Sequence, residues 1–140
     1  MKISPLIKLF AMIFCISIVS ACASNQATEP TATISGQVIY LQRIAVPPQA
    51  EVTVTLADVS LQDVAATTLA QDTFTADGKQ VPFPFTLTYR TSDVKAGHTY
   101  ALRASIHVDG RLWFTTTEHI AVKLDGTDAQ PVEVRVNMVR

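Results

Sequence analysis

The sequence predicts an all-β fold: a single antiparallel β-sandwich of about seven strands with Greek-key-like connections. Three observations predict it. Short runs alternate apolar and polar residues with a period of two, turn residues bound each run, and no long amphipathic helix interrupts them between residues 34 and 140. A closed barrel would fit the same pattern and is the alternative architecture.

The first 21 residues are set apart from that domain, because they read as a secretion leader. Lys2 and Lys8 supply a positive start, and the apolar run from Leu9 to Val19 is too short to span a ~30 Å hydrocarbon core as a permanent helix. Val19-Ser20-Ala21-Cys22 then looks like the lipobox of bacterial prolipoproteins, with a small residue before a thiol that carries diacylglycerol. Cleavage there makes Cys22 the lipidated N-terminus, and the second and third acyl chains such processing adds convert marginal membrane binding into stable anchoring. Cys15 leaves with the leader, so no internal disulfide can form and stability must come from packing. Ala23, rather than Asp, follows the cysteine, which by resemblance to sorted lipoproteins implies the periplasmic face of the outer membrane. Residues 22–33 are small and polar with no periodic apolar face, the composition of a tether, and the domain is expected over 34–140.

Within the domain, Ile34 to Gln42 places Ile34, Gly36, Val38 and Tyr40 on one face. Val46-Pro47-Pro48-Gln49-Ala50 cannot continue a ladder, since proline lacks the N–H and fixes φ, so an extended crossover leads to a second strand with Val52, Val54 and Leu56 on one side. Further strands are expected over Thr68 to Thr75 and Phe85 to Tyr89, followed by one helical turn at Ser92 to Gly97. Asp109-Gly110 is the strongest local signal, because a type I′ hairpin needs positive φ at both central residues. It joins His98–Val108 to Arg111–Ile120 and would set Ile106 opposite Trp113 and Ala104 opposite Thr115. Val132 to Met138 forms the last strand, apolar at even positions. The expected interior is Val38, Tyr40, Val52, Val54, Leu56, Phe85, Leu87, Tyr89, Leu102, Ile106, Trp113, Val134 and Val136.

Composition narrows the function. Eleven Lys and Arg against twelve Asp and Glu give a net charge of −1, and the cations are dispersed, so no basic stripe exists for nucleic acid. The mean hydropathy of +0.25 owes much to the leader. No Gly-x-Ser-x-Gly elbow, His-Glu-x-x-His or glycine-rich phosphate loop occurs, and no catalytic, cofactor or metal site is expected. His98 and His119 would be diagonal neighbours in the Asp-Gly register, which makes a metal site only with a third ligand from elsewhere. They are read as ordinary rim histidines, and Asp93, Asp109, Glu118 and Asp125 as surface carboxylates. Trp113 and Phe114 are adjacent, so one must face each side of the sheet. The outward one, with Leu112 and Ile120, forms the candidate partner surface (Leu112, Trp113, Phe114, Ile120).

The run Gly36-Gln37-Val38, then Arg43-Ile44-Ala45-Val46-Pro47-Pro48-Gln49-Ala50-Glu51-Val52-Thr53-Val54-Thr55-Leu56-Ala57-Asp58-Val59-Ser60, resembles the YbaY/YscW family of bacterial lipoproteins, its YbaY branch in particular. Leu69-Ala70-Gln71, Gly78-Lys79-Gln80-Val81-Pro82-Phe83-Pro84-Phe85 and Ile106-His107-Val108-Asp109-Gly110-Arg111-Leu112-Trp113-Phe114 continue the likeness over nearly all of the expected domain. The resemblance implies a β-sandwich lipoprotein and no enzyme. Its YscW-type members are pilot lipoproteins that chaperone outer-membrane secretin rings, and its YbaY-like members are envelope lipoproteins. The expected function is therefore non-catalytic binding or assembly, pilot-like towards a secretin-type protein, with membrane attachment through Cys22. A glycan-binding or structural envelope module is the alternative, with an unrecognised enzyme ranked behind it.

Overall fold

The computed structural model describes residues 28–140, so the expected leader and Cys22 lie outside the described residues. Nine strands form within them: β1 (Thr31–Ile39), β2 (Glu51–Asp58), β3 (Thr67–Thr75), β4 (Phe83–Arg90), β5 (Tyr100–Val108), β6 (Arg111–Thr115), β7 (Ile120–Val122), β8 (Val132–Arg135) and β9 (Asn137–Met138). The only helical geometry among the described residues is a single 3-10 turn at Thr91–Asp93. The strands make two sheets. The smaller runs β4-β1-β8, and the larger runs β3-β2-β5-β6-β9 with β7 also paired to β5.

Period-two alternation turns one face of each sheet inward, and the two apolar faces close on one another. Val38 and Val134 of the smaller sheet and Val52, Val54, Leu56, Leu102, Ile106 and Phe114 of the larger are fully buried, and no polar or charged residue is buried with them. β4 shows the pattern most plainly, with Phe83, Phe85, Leu87 and Tyr89 buried and every residue between them exposed. Every residue expected in the interior is buried except Trp113, and the core also takes in others that the expected set omitted, Ile34, Phe83, Tyr100 and Phe114 among them.

Three further differences have local causes. β1 begins at Thr31, because the backbones of Thr31, Ala32 and Thr33 pair with Arg90, Tyr89 and Thr88 whatever their side chains are. The Thr91 N–H and hydroxyl both donate to the Pro30 carbonyl at 3.0 Å, fixing the chain just before the strand. The strand expected over Arg111–Ile120 breaks into β6 and β7, since Thr116-Thr117-Glu118-His119 offers no apolar side chain to hold it to the core. The last strand also divides. β8 lies parallel to β1, Val136 donates its N–H to the Ile39 carbonyl at 2.9 Å, and β9 crosses to pair with β6, which closes one side of the sandwich.

Two residues fix the packing around β1 and the crossover that follows it. Gly36 lies between Phe85 and Val132, and a Cβ there would stand 2.3 Å from the Val132 carbonyl oxygen and 2.5 Å from the Phe85 ring, so only glycine fits. Gln80 staples the crossover between β1 and β2. Its carboxamide accepts from the Val46 N–H and donates to the Val46 carbonyl, both at 3.1 Å, and lies 3.2 Å from the Tyr40 hydroxyl.

Candidate functional site

The β5–β6 hairpin positions the residues singled out in the sequence. Asp109 and Gly110 have φ of 51° and 76°, so both central residues adopt the positive values that the sequence requires of them. The ladder starts in the expected register, Val108 opposite Arg111 and His107 opposite Leu112, and then shifts. A β-bulge sets Ile106 opposite Phe114 and Ser105 opposite Thr115, leaving Trp113 as the extra residue. The expected pairs Ile106–Trp113 and Ala104–Thr115 do not form, and the inward position passes from Trp113 to Phe114. Phe114 is 0% exposed and stacks on Tyr40, with ring centroids 4.5 Å apart and planes 19° from parallel. Phe114 therefore belongs to the core and not to the partner surface. Side-chain chemistry held a clue: a fully apolar site suits Phe, whereas a buried indole N–H needs a partner.

Ile120 also leaves the candidate strip. It pairs with Leu102 and packs on the core, four residues along β5 from Ile106 and hence about 13 Å from the Phe114 rung. Leu112 and Trp113 remain, and the structure adds two neighbours that the sequence did not reveal. β9 sets Met138 opposite Phe114, and the Val139 N–H donates to the Trp113 carbonyl at 2.8 Å. Leu112, Met138 and Val139 are each 40–43% exposed, and Trp113 is half-buried. Exposed apolar side chains thus stand on both faces of the β6–β9 edge, Leu112 on the outer face and Met138 on the face of Phe114, at the place where the last strand changes sheets.

The histidines do not converge. Tyr100 pairs with Val122 and Ala101 with Ala121, so the register that made His98 and His119 diagonal neighbours is not adopted. His98 Nδ1 lies 2.5 Å from Asp58 Oδ2 instead. Asp58 Oδ1 accepts from the Ser60 hydroxyl at 2.5 Å and the Ser60 N–H at 2.9 Å, and these bonds, the Ser60 hydroxyl first, hold its carboxyl down at about 2. The Thr99 N–H donates to the Ser60 hydroxyl at 2.7 Å, so this network ties the β2–β3 loop to the start of β5. It contains Ser, His and Asp in an order without nucleophilic use: the serine faces the carboxylate rather than the imidazole that would deprotonate it. Among the described residues, no three metal-ligating side chains come together.

A concavity of about 760 Å³ lies on the outer face of β2 and β5 and is lined by Thr53, Thr55, Arg103, Ser105 and Thr116, with Glu118 from the β6–β7 loop. Its lining is rich in hydroxyls, and it holds no Trp, Tyr or Phe.

The described residues thus form a two-layer β-sandwich with exposed apolar side chains at one edge and with Ser60, His98 and Asp58 tied into a network that joins a loop to a strand. The chain belongs to the YscW family, the type III secretion system lipoprotein chaperones, whose sequence profile matches residues 29–136. It is similar to the uncharacterized lipoprotein YbaY of Escherichia coli (strain K12), 38% identical over 111 residues, which are 79% of this chain and 58% of YbaY. The chain thus spans a little over half the length of that relative. It is also similar to a solved structure, an alternative pilotin from the type II secretion system of Vibrio cholerae. That likeness has 41% identity and a TM-score of 0.75 over 79% of this chain and 99% of the pilotin.

Proposed function

We propose that the chain is a non-catalytic, pilot-type assembly lipoprotein. Acyl chains on Cys22 hold it at the periplasmic face of the outer membrane, and its β6–β9 edge binds a secretin-type outer-membrane protein. The observation that carries this reading is the likeness to a type II secretion pilotin, which extends over 99% of that protein at 41% identity. The family's description as lipoprotein chaperones supports it, and so does an edge whose Leu112, Met138 and Val139 are exposed where a partner can cover them. The proposed activity needs no cofactor and no reaction, because a pilot acts by holding its client and carrying it to the membrane in which its own acyl chains reside.

Deleting the gene in the producing cell tests the reading. The detergent-resistant secretin multimer is expected to leave the outer-membrane fraction, to return with the full chain, and not to return with Cys22→Ala, which stays soluble in the periplasm. Unchanged multimers in the outer membrane of the deletion strain would refute it.

The hydroxyl-lined groove favours a second reading, a glycan-binding or structural envelope module. Sedimentation with purified peptidoglycan separates the two. Retention that Arg103→Ala and Thr55→Ala abolish would move the glycan reading ahead.

A further inference from the structure

We infer that Asp72 guards the open side of the sandwich: its carboxylate, set in the core-facing row of edge strand β3, keeps the domain from pairing strand to strand with a second copy of itself. This side lies across the larger sheet from β6–β9, so the inference stands whether or not the pilot reading holds. Two long strands end their sheets here. β3 pairs only with β2 and β4 only with β1, and the two are neighbours in space with no ladder between them. The other side is closed by the chain itself, where β8 passes into β9.

The hydrogen bonds fix which backbone groups β3 leaves free. Along an antiparallel pair, residues alternate between exchanging both bonds and turning both groups away. The Ala104 carbonyl accepts from the Thr116 N–H at 3.0 Å, so Ala104 turns to the β6 side and Val54, opposite it, turns to Asp72 of β3. The Ala76 N–H donates to the Ala50 carbonyl at 2.8 Å, in the same alternation. Gln71, Thr73 and Thr75 therefore point their N–H and C=O groups out of the sheet, where they meet no partner among the described residues. Such a row is a template for a further strand.

What opposes pairing is Asp72, the one charged residue of β3. It stands opposite Val54, which is fully buried, so its side chain lies on the core-facing side of the sheet. It is nevertheless exposed, while Ala70 and Phe74 beside it in that row are half-buried. A second β3 added antiparallel, in registers centred on Gln71, Asp72 or Thr73, would set Asp72 against Ala70, Asp72 or Phe74 of the other copy. Each register encloses a carboxylate against an apolar side chain or another carboxylate, with no cation in either strand to pair it.

Two further features act in the same direction. The register shift between Leu56 and Ala57 leaves Leu69 without a partner on β2 and ends the regular edge at Ala70. On β4, the Ser35 N–H donates to Gln130 Oε1 at 3.2 Å, away from β4, so Thr86 and Pro84 are among the β4 residues that face outward. Pro84 has no N–H to offer there.

The test is amide hydrogen exchange, read residue by residue by NMR, on the full chain in neutral detergent with micelles in excess. It is run in dilute solution and at about a hundredfold higher concentration. In the native chain the Gln71, Thr73 and Thr75 amides should exchange at the same rate in both samples. In Asp72→Val they should slow by at least about tenfold, in the concentrated sample alone. Asp72→Lys, which keeps a charge in the row, and Glu133→Val, which removes a carboxylate from β8, should behave like the native chain. Asp72→Thr should slow the same amides in the same direction, and it carries the test if circular dichroism shows Asp72→Val to be poorly folded. Native amides that slow on concentration would overturn the inference. So would unchanged exchange in both uncharged variants, or slowing in Asp72→Lys.

Discussion

Replacing Phe114 and Trp113 by alanine, one at a time, should have opposite effects on stability and on binding. Phe114 is fully buried and stacked on Tyr40, so Phe114→Ala opens a cavity in the middle of the sandwich and forfeits the ring pair. Losses of this kind run to about 3–5 kcal/mol, against a total of about 5–15 kcal/mol for a domain of this size. Trp113 is only half-buried at a bulge, and Trp113→Ala should cost about 1 kcal/mol. Urea unfolding followed by circular dichroism reads both. With a denaturant slope of about 1–2 kcal/mol per molar, Phe114→Ala should lower the midpoint by about 2 M or more and Trp113→Ala by less than about 1 M. Crosslinking to a partner should fail only in Trp113→Ala under conditions where both variants are folded. A midpoint that falls further for Trp113→Ala than for Phe114→Ala would refute the bulged register and the assignment of the edge.

Three other perturbations follow from the packing. Gly36→Ala forces a Cβ to within 2.3 Å of the Val132 carbonyl, so β8 must move, and thermal melts should show a loss of about 2–3 kcal/mol or more. Gln80→Ala strands the Val46 N–H and carbonyl beneath the crossover and should cost about 1–3 kcal/mol by urea unfolding. The Asp58 carboxyl is held at about 2 rather than 3.8, so the stability it contributes is fully present above pH 4 and is lost as pH falls towards 2. The gap corresponds to roughly 2 kcal/mol, reduced to about 1 kcal/mol by solvent at this partly exposed site. Asp58→Asn should remove that part of the acid dependence, and an unchanged profile between pH 4 and 2 would contradict it.

Much of this fold was legible in the sequence because a half-buried strand has to alternate. β4 could be read from Phe85 to Tyr89, though its first buried rung at Phe83 was hidden between Pro82 and Pro84, and the Asp109-Gly110 turn could be read directly, since its two positive φ values demand those residue types. The bulge at Trp113 was not legible. Two adjacent aromatics suit either register, and only the three-dimensional fit of Phe114 against Tyr40 decides between them. The breaks at Thr116–His119 and Val136 escaped for a similar reason. They depend on which sheet a strand joins, a long-range matter that a local pattern does not encode. The candidate site was half legible: Leu112 and Trp113 stand at the edge, Phe114 and Ile120 do not, and Met138 and Val139 join it only through the pairing of β9 with β6.

The central claim is that this lipoprotein-family domain works by binding an envelope protein along its β6–β9 edge. Photo-crosslinking in intact cells tests it most directly, with a photoreactive residue placed at Trp113, at Val139 and, as a control, at Thr55 on the outer face of the larger sheet. The account predicts one outer-membrane protein captured from Trp113 and Val139 and not from Thr55. Capture of that protein from Thr55 alone, or of glycan alone from any of the three, would contradict it.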